Sequence, residues 1–130
     1  MNNLILRPAN ETDTNFLLST WLKSYYVHGN AYRKPNQSIY YKEHQDLVKK
    51  RLATSSVTVA TTSEDETQII GYIVCDADCI HYLYVKNIFR GFGIAKKLLA
   101  GNWRDSYSHH TAYSDQVNKG MQFNPYLFTK

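Results

Sequence analysis

Two groups of residues in this chain have types and spacing that could do chemistry. The first is Arg90-Gly91-Phe92-Gly93-Ile94-Ala95, followed by Lys96. Two glycines one residue apart allow a turn that other residues resist, and a helix started by such a turn aims several backbone N–H groups at one point. That arrangement binds phosphate groups, and Arg90, Lys86 and Lys96 could add charge-assisted contacts to phosphate oxygens. The second group is His81 with Cys79 beside it and His109 and His110 further on. An imidazole with an ordinary pKa near ~6.5 can accept a proton at neutral pH. Cys75, Cys79, His81 and His109 lack the tight spacing of a zinc motif, so no metal is expected. Cys79 reads as a small buried residue and not as a nucleophile.

The elements around these groups must position them. Ile80–Val85 is dense in β-branched and aromatic residues and predicts a strand. Period-two alternation along it places Cys79, His81, Leu83 and Val85 on one face. Ile94, Ala95, Leu98 and Leu99 recur at helical spacing, so the glycine loop joins a strand to a helix. Upstream, Asn3–Arg7 predicts a short strand ended by Pro8, and Asn10-Glu11-Thr12-Asp13 supplies capping residues for a helix over about 14–26. Val27–Ser38 reads as an aromatic and basic loop with His28, Tyr32, Arg33 and Lys34. Ile39–Leu52 returns to helical spacing, with Lys49, Lys50 and Arg51 complementing its C-terminal dipole. Ser56–Thr62 and Gln68–Cys75 predict a hairpin that Ile80–Val85 extends. Tyr107–Tyr113 predicts another strand, and residues 115–122 a short helix. The order suggests a mixed sheet with helices on its faces.

The sequence has 130 residues, 43% of them hydrophobic and 20% charged, which predicts one globular domain over residues 1–130. Its net charge of +4 suggests an anionic partner, either a phosphate-rich coenzyme or nucleic acid. No nucleic-acid motif is present, and the tryptophans and tyrosines mostly follow core periodicity, so nucleic acid is not the expected partner. The two cysteines, Cys75 and Cys79, are too few for a disulfide framework and are expected to be reduced thiols. Without a signal-peptide pattern or an apolar run of ~20 residues, a cytoplasmic location and no membrane association are expected.

Arg90-Gly91-Phe92-Gly93-Ile94-Ala95, with Leu83-Tyr84-Val85 before it and Lys96-Lys97-Leu98-Leu99 after it, resembles the acyl-CoA pyrophosphate motif of the GNAT superfamily of N-acetyltransferases. The family pattern there is Arg/Gln-x-x-Gly-x-Gly/Ala. The resemblance implies an α/β GNAT fold with a mixed, mostly antiparallel central sheet flanked by helices, here with a shortened C-terminal end. It implies acetyl-CoA as acyl donor, bound by Leu83, Tyr84, Val85, Arg90, Gly91, Phe92, Gly93, Ile94, Ala95 and Lys96. Backbone groups of Leu83 and Val85 would pair with the pantetheine arm, and N–H groups from Gly91 to Ala95 would cradle the pyrophosphate. Some family members carry histidines in the strand region of His81 and use them as bases through water, so His81 is the expected base. The usual general-acid tyrosine pattern is missing, and Tyr126 and Tyr113 are the nearest candidates. Ser19–Tyr25, His81–Lys86 and Asn124–Leu127 resemble small GNAT-like proteins encoded by bacteriophages, which implies a phage origin and the host cytoplasm.

The expected activity is therefore transfer of an acetyl group from acetyl-CoA to a primary amine of a small molecule or protein. The alternative is a catalytically weak module that keeps the coenzyme site and binds a host or phage protein through Val27–Ser38. A homodimer could close the substrate side left open by the short C-terminal end.

Overall fold

A computed structural model describes residues 3–28, 35–110 and 120–129. The first strand, β1 (Leu4–Pro8), leads to Asn10, whose side chain accepts a hydrogen bond from the Thr12 N–H at 3.0 Å. The Asp13 carboxylate accepts from the Asn10 N–H at 2.9 Å, and Arg7 holds the same carboxylate at 2.8 Å. This reciprocal cap starts a 3-10 turn over Glu11–Asp13 and then α1 (Thr14–His28). The second helix, α2 (Gln37–Thr54), begins before the expected Ile39, because the Asn36 side chain accepts from the Ser38 N–H at 2.9 Å.

After α2 come β2 (Ser56–Thr62), β3 (Gly71–Cys75) and β4 (Cys79–Val85). A short helix, α3 (Ile94–Ala100), leads to β5 (Ser106–Tyr107), and β6 (Gln122–Phe123) precedes a 3-10 turn over Pro125–Thr129. The strands lie side by side in chain order. β1 to β4 pair antiparallel, whereas β4–β5 and β5–β6 pair parallel, so the sheet is mixed as expected. The strand expected over Tyr107–Tyr113 is only two residues long within the described part, and Tyr113 lies outside the described residues. Most of the helix expected over residues 115–122 also lies outside them. Its last residue, Gln122, is in β6.

One core, between the sheet and α1–α2, holds Leu17, Trp21, Val48, Tyr72, Tyr82 and Phe128. The other, under α3, holds Ile70, Ile73, Ile80, Ile94, Leu98 and Tyr107. Tyrosine hydroxyls pin α1 to the sheet: Thr20 Oγ1 lies 2.8 Å from the Tyr72 hydroxyl, and Ser24 Oγ 2.6 Å from that of Tyr82. Arg51 differs from its expected place at a helix end. It turns inward and is buried, donating to the carbonyls of Leu127 and Phe128 and, at 2.6 Å, to Asp76.

The expected alternation of β4 fails at one residue. Val74 stands opposite Tyr82 but Cys75 stands opposite Ile80, so His81 has no cross-strand partner and forms a bulge. The extra residue switches the faces. Ile80, Leu83 and Val85 belong to the α3 side, while His81 lies against Phe128 in the core beneath α1 and α2, its ring centroid 5.9 Å away. Cys79, His81, Leu83 and Val85 therefore do not share a face.

Candidate active site

Beyond the bulge, β4 and β5 part. Their pairing is confined to Cys79–Ser106 and Ile80–Tyr107, continued by a 3.0 Å bond from the Ser108 N–H to the Ile80 carbonyl. The direction of the remaining β4 main chain follows from one bond. The Lys86 N–H donates to the Ile70 carbonyl at 2.8 Å, so in the antiparallel register Lys86, Tyr84 and Tyr82 turn their main chains towards β3. Leu83 and Val85 turn theirs to the other edge, where β5 has ended and no strand pairs with them among the described residues. The Val85 carbonyl is taken by the Arg90 guanidinium at 3.2 Å. Tyr84, grouped with these two by the sequence, differs: its main chain faces β3 and its ring stacks on Tyr72.

The gap leads to the glycine loop. Arg90 also donates to the Asn87 side chain at 3.2 Å, tying the loop to the end of the strand. Gly91 and Gly93 have φ of 90° and 81°, a left-handed conformation that glycine adopts without strain. Gly93 is the N-cap of α3 and gives it no side-chain hydrogen bond, so the first-turn N–H groups around Ile94, Ala95 and Lys96 carry no cap from it. A Cβ at Gly91 or Gly93 would meet no atom within 4 Å, so the loop borders open space. Phe92 is exposed beside it.

His81 is 1% exposed, and both its ring nitrogens are engaged. Nε2 lies 2.9 Å from Asp76 Oδ2, and Nδ1 lies 2.8 Å from Ser108 Oγ. Burial lowers its pKa, and the neighbouring Asp76 carboxylate offsets this only in part. Burial works against the charge on Asp76, but hydrogen bonds from His81 and Ser55 and the nearby Arg51 outweigh it and hold its carboxyl below the usual range. Of the two histidines after β5, His109 turns inward and packs against Trp21, Tyr25, Tyr82 and Phe128. His110 lies against Tyr107 and Phe123 instead.

Tyr126 is 77% exposed, and it is Phe128 of the same 3-10 turn that enters the core. The Cys75 and Cys79 thiols are buried, and burial pushes each pKa up to about 11, so both are neutral thiols at pH 7. No group of three or more metal-ligating side chains occurs among the described residues. No helix among them is long and apolar enough to cross a membrane. A groove of about 310 Å³ lined by Ala9, Leu17, Leu52 and Val57 lies at the β1–β2 end of the sheet and contains none of the residues above.

Sequence reasoning brings out His81 and the glycine loop but misses Asp76, Ser108, His44 and the inward turn of Arg51. These residues are scattered along the chain and meet only through the hairpin turn, the β4 bulge and the packing of α2. No local spacing signals them.

No family model and no curated protein sequence matches the chain. Solved structures do. The apo form of YjaB from Escherichia coli matches with a TM-score of 0.57 and 20% identity, over 75% of this chain and 63% of that one. A GCN5-related N-acetyltransferase from Rhodopseudomonas palustris matches with a TM-score of 0.56 and 18% identity, over 78% and 64%. The yncA protein from Salmonella typhimurium, solved with its cofactor acetyl-CoA, matches with a TM-score of 0.50 and 17% identity, over 76% and 60%. In each case the match spans less than two thirds of the neighbour's length. The fold is that of the GNAT acetyltransferases.

Proposed function

We propose that the chain is an acetyl-CoA-dependent N-acetyltransferase whose acceptor is a primary amine of a small molecule or protein. The observation that carries this reading is the gap between β4 and β5, with the main chains of Leu83 and Val85 turned into it and the glycine loop at its end. A pantetheine arm suits such an edge because it carries amide groups that can pair with strand main chain. The N–H groups from Gly91 to Lys96 suit the pyrophosphate, with Arg90 and Lys86 supplying positive charge. Phe92 lies beside that loop as apolar surface for the donor.

The reaction makes three demands on the chain. An ammonium group, with a pKa near ~10.4, must lose a proton before it can attack. The oxyanion needs a preorganised donor, and the Leu83 N–H is the main-chain group aimed at the gap beside the bulge. The departing thiolate needs a proton. His81 meets none of these by direct contact with substrate, because both its nitrogens are held; its place is inside a hydrogen-bonded chain. Tyr126 is the candidate acid that this geometry supports least, being exposed on a terminal turn. Tyr126→Phe decides it: a fall of roughly tenfold or more in kcat keeps the role, and an unchanged rate removes it.

Isothermal titration with acetyl-CoA tests the donor site. One-site binding is expected, and Gly93→Val should weaken it roughly tenfold or more, because a β-branched residue resists the φ of 81°. Thiol release from acetyl-CoA across a panel of polyamines, aminoglycosides and lysine peptides then tests transfer. A second reading, a binding module that retains the donor without chemistry, draws on the exposure of Tyr126; acetyl-CoA binding without thiol release would select it. The buried free thiols suit a reducing cytoplasm. The phage-like stretches support a phage origin with action in the host cytoplasm.

A further inference from the structure

Five side chains form an unbroken line from α2 to the β3–β4 turn. His44 Nε2 lies 3.3 Å from His109 Nε2. His109 Nδ1 lies 3.0 Å from Ser108 Oγ, which lies 2.8 Å from His81 Nδ1. His81 Nε2 lies 2.9 Å from Asp76 Oδ2. The inner end, His44, stacks on Tyr25 and Tyr40, and His109 next to it packs on Tyr82, the residue before Leu83 on β4, with ring centroids 5.8 Å apart. The outer end meets solvent, since the Asp76 side chain is 29% exposed.

The carboxylate sets the direction of every bond. Ionised Asp76 only accepts, so His81 carries its hydrogen on Nε2 and its Nδ1 accepts. Ser108 therefore donates its hydroxyl to His81, and its oxygen accepts from the Nδ1–H of His109. Nε2 of His109 then accepts from the Nε2–H of His44. Nδ1 of His44 is left as a bare acceptor with no partner among the described residues.

The surroundings keep all three rings neutral, as a chain of alternating donors and acceptors requires. Burial lowers the His44 pKa to about 4 and that of His109 well below its ordinary value. Tyr25 and Tyr40 stack on His44 from α1 and α2, and Tyr82 faces His109. Burial raises the pKa of all three phenols, so they stay neutral. Cys79 Sγ lies 3.8 Å from His81 Nδ1 and is a neutral thiol. Among the described residues, the charged groups in contact with the line are Asp76 itself and Arg51, which pairs with it.

We propose that His44, His109, Ser108, His81 and Asp76 are a proton path serving the acetyl transfer proposed above, on which this inference rests. A proton from the substrate ammonium bonds to Nδ1 of His44. The Nε2–H proton of His44 passes to His109, the Nδ1–H proton of His109 to Ser108, the hydroxyl proton of Ser108 to His81, and the Nε2–H proton of His81 to Asp76, which releases it to water. The rings are left in the opposite tautomers. The departing thiolate then draws one proton from water back along the same line, which restores the starting tautomers. The second proton lost by the nitrogen, after attack, leaves directly to water.

Nitrogen NMR of the labelled full chain at pH 7 reads the rings without any substrate. His81 and His44 are expected as Nε2–H tautomers and His109 as Nδ1–H. The opposite tautomer on His81 or His109, or a doubly protonated ring, overturns the path whatever the turnover. Ser108→Ala cuts the line and should lower kcat roughly tenfold or more while the KM for acetyl-CoA stays within about twofold. Ser108→Thr, which restores a hydroxyl, should recover much of the rate. A wild-type rate in Ser108→Ala also overturns the path. The transferase reading fails separately: if wild-type protein with the expected tautomers releases no thiol from acetyl-CoA across the amine panel, that reading falls, and the role of the path in transfer falls with it.

Discussion

At His81, one residue too many on β4 decides which chemistry its neighbours can reach. The bulge turns the imidazole away from Leu83 and Val85 and into contact with Asp76 and Ser108. Arg51 does comparable work beside it, joining α2 to the Asp76 carboxylate and to the last turn through the Leu127 and Phe128 carbonyls. Removing it leaves Asp76 without its cation and two carbonyls without donors. Arg51→Ala should cost about 3 kcal/mol of stability, read as a lower urea midpoint. Proteolysis after Asn124 should speed up as the terminal turn detaches. The inward turn of Arg51 is illegible in the sequence. In Lys49-Lys50-Arg51 three cations stand together near a helix end, and only the packing of the terminal turn tells the third from the others.

At the scale of elements, local signals succeed where an element's own residues determine it. Alternation and β-branching in Ser56–Thr62 place β2 with its observed bounds, and the glycine loop followed by Ile94 places the start of α3. They fail where a neighbour decides. β3 begins at Gly71, later than the apolar run suggests, and β5 ends at Tyr107, next to the point where β4 bulges at His81. Gly71 itself marks close packing of α3 on the sheet. A Cβ there would stand 2.8 Å from the Tyr84 carbonyl oxygen and 3.3 Å from Ile94 Cγ2. Gly71→Ala should therefore destabilise by about 2 kcal/mol through overpacking, although alanine suits a strand better than glycine. The check is urea unfolding, with the strongest loss of hydrogen-exchange protection in β3 and α3.

For the molecule as a whole, the buried histidines tie stability to pH. Unfolded, each imidazole has a pKa near ~6.5. Folded, His44, His81 and His109 are all lowered, mainly by burial, with His44 at about 4. Below pH ~6.5 the unfolded chain takes up protons that the folded chain refuses, so the stability these rings contribute is complete above that pH and is lost as pH falls towards about 4. The unfolding free energy should drop on the order of 4 kcal/mol between pH ~7 and pH ~5. Urea titrations across that range check it, and a flat profile would show that the rings are already charged in the fold. The carboxyl of Asp76, held below the usual range, adds its own loss only at lower pH.

The parting of β4 from β5 has a consequence for the chain in solution. Beside Leu83 and the Val85 N–H no described strand pairs with β4, so another extended segment could lodge there. Filling that slot with a donor molecule would complete the sheet and remove an adhesive edge, so the occupied chain would be the one that resists clumping during storage and concentration.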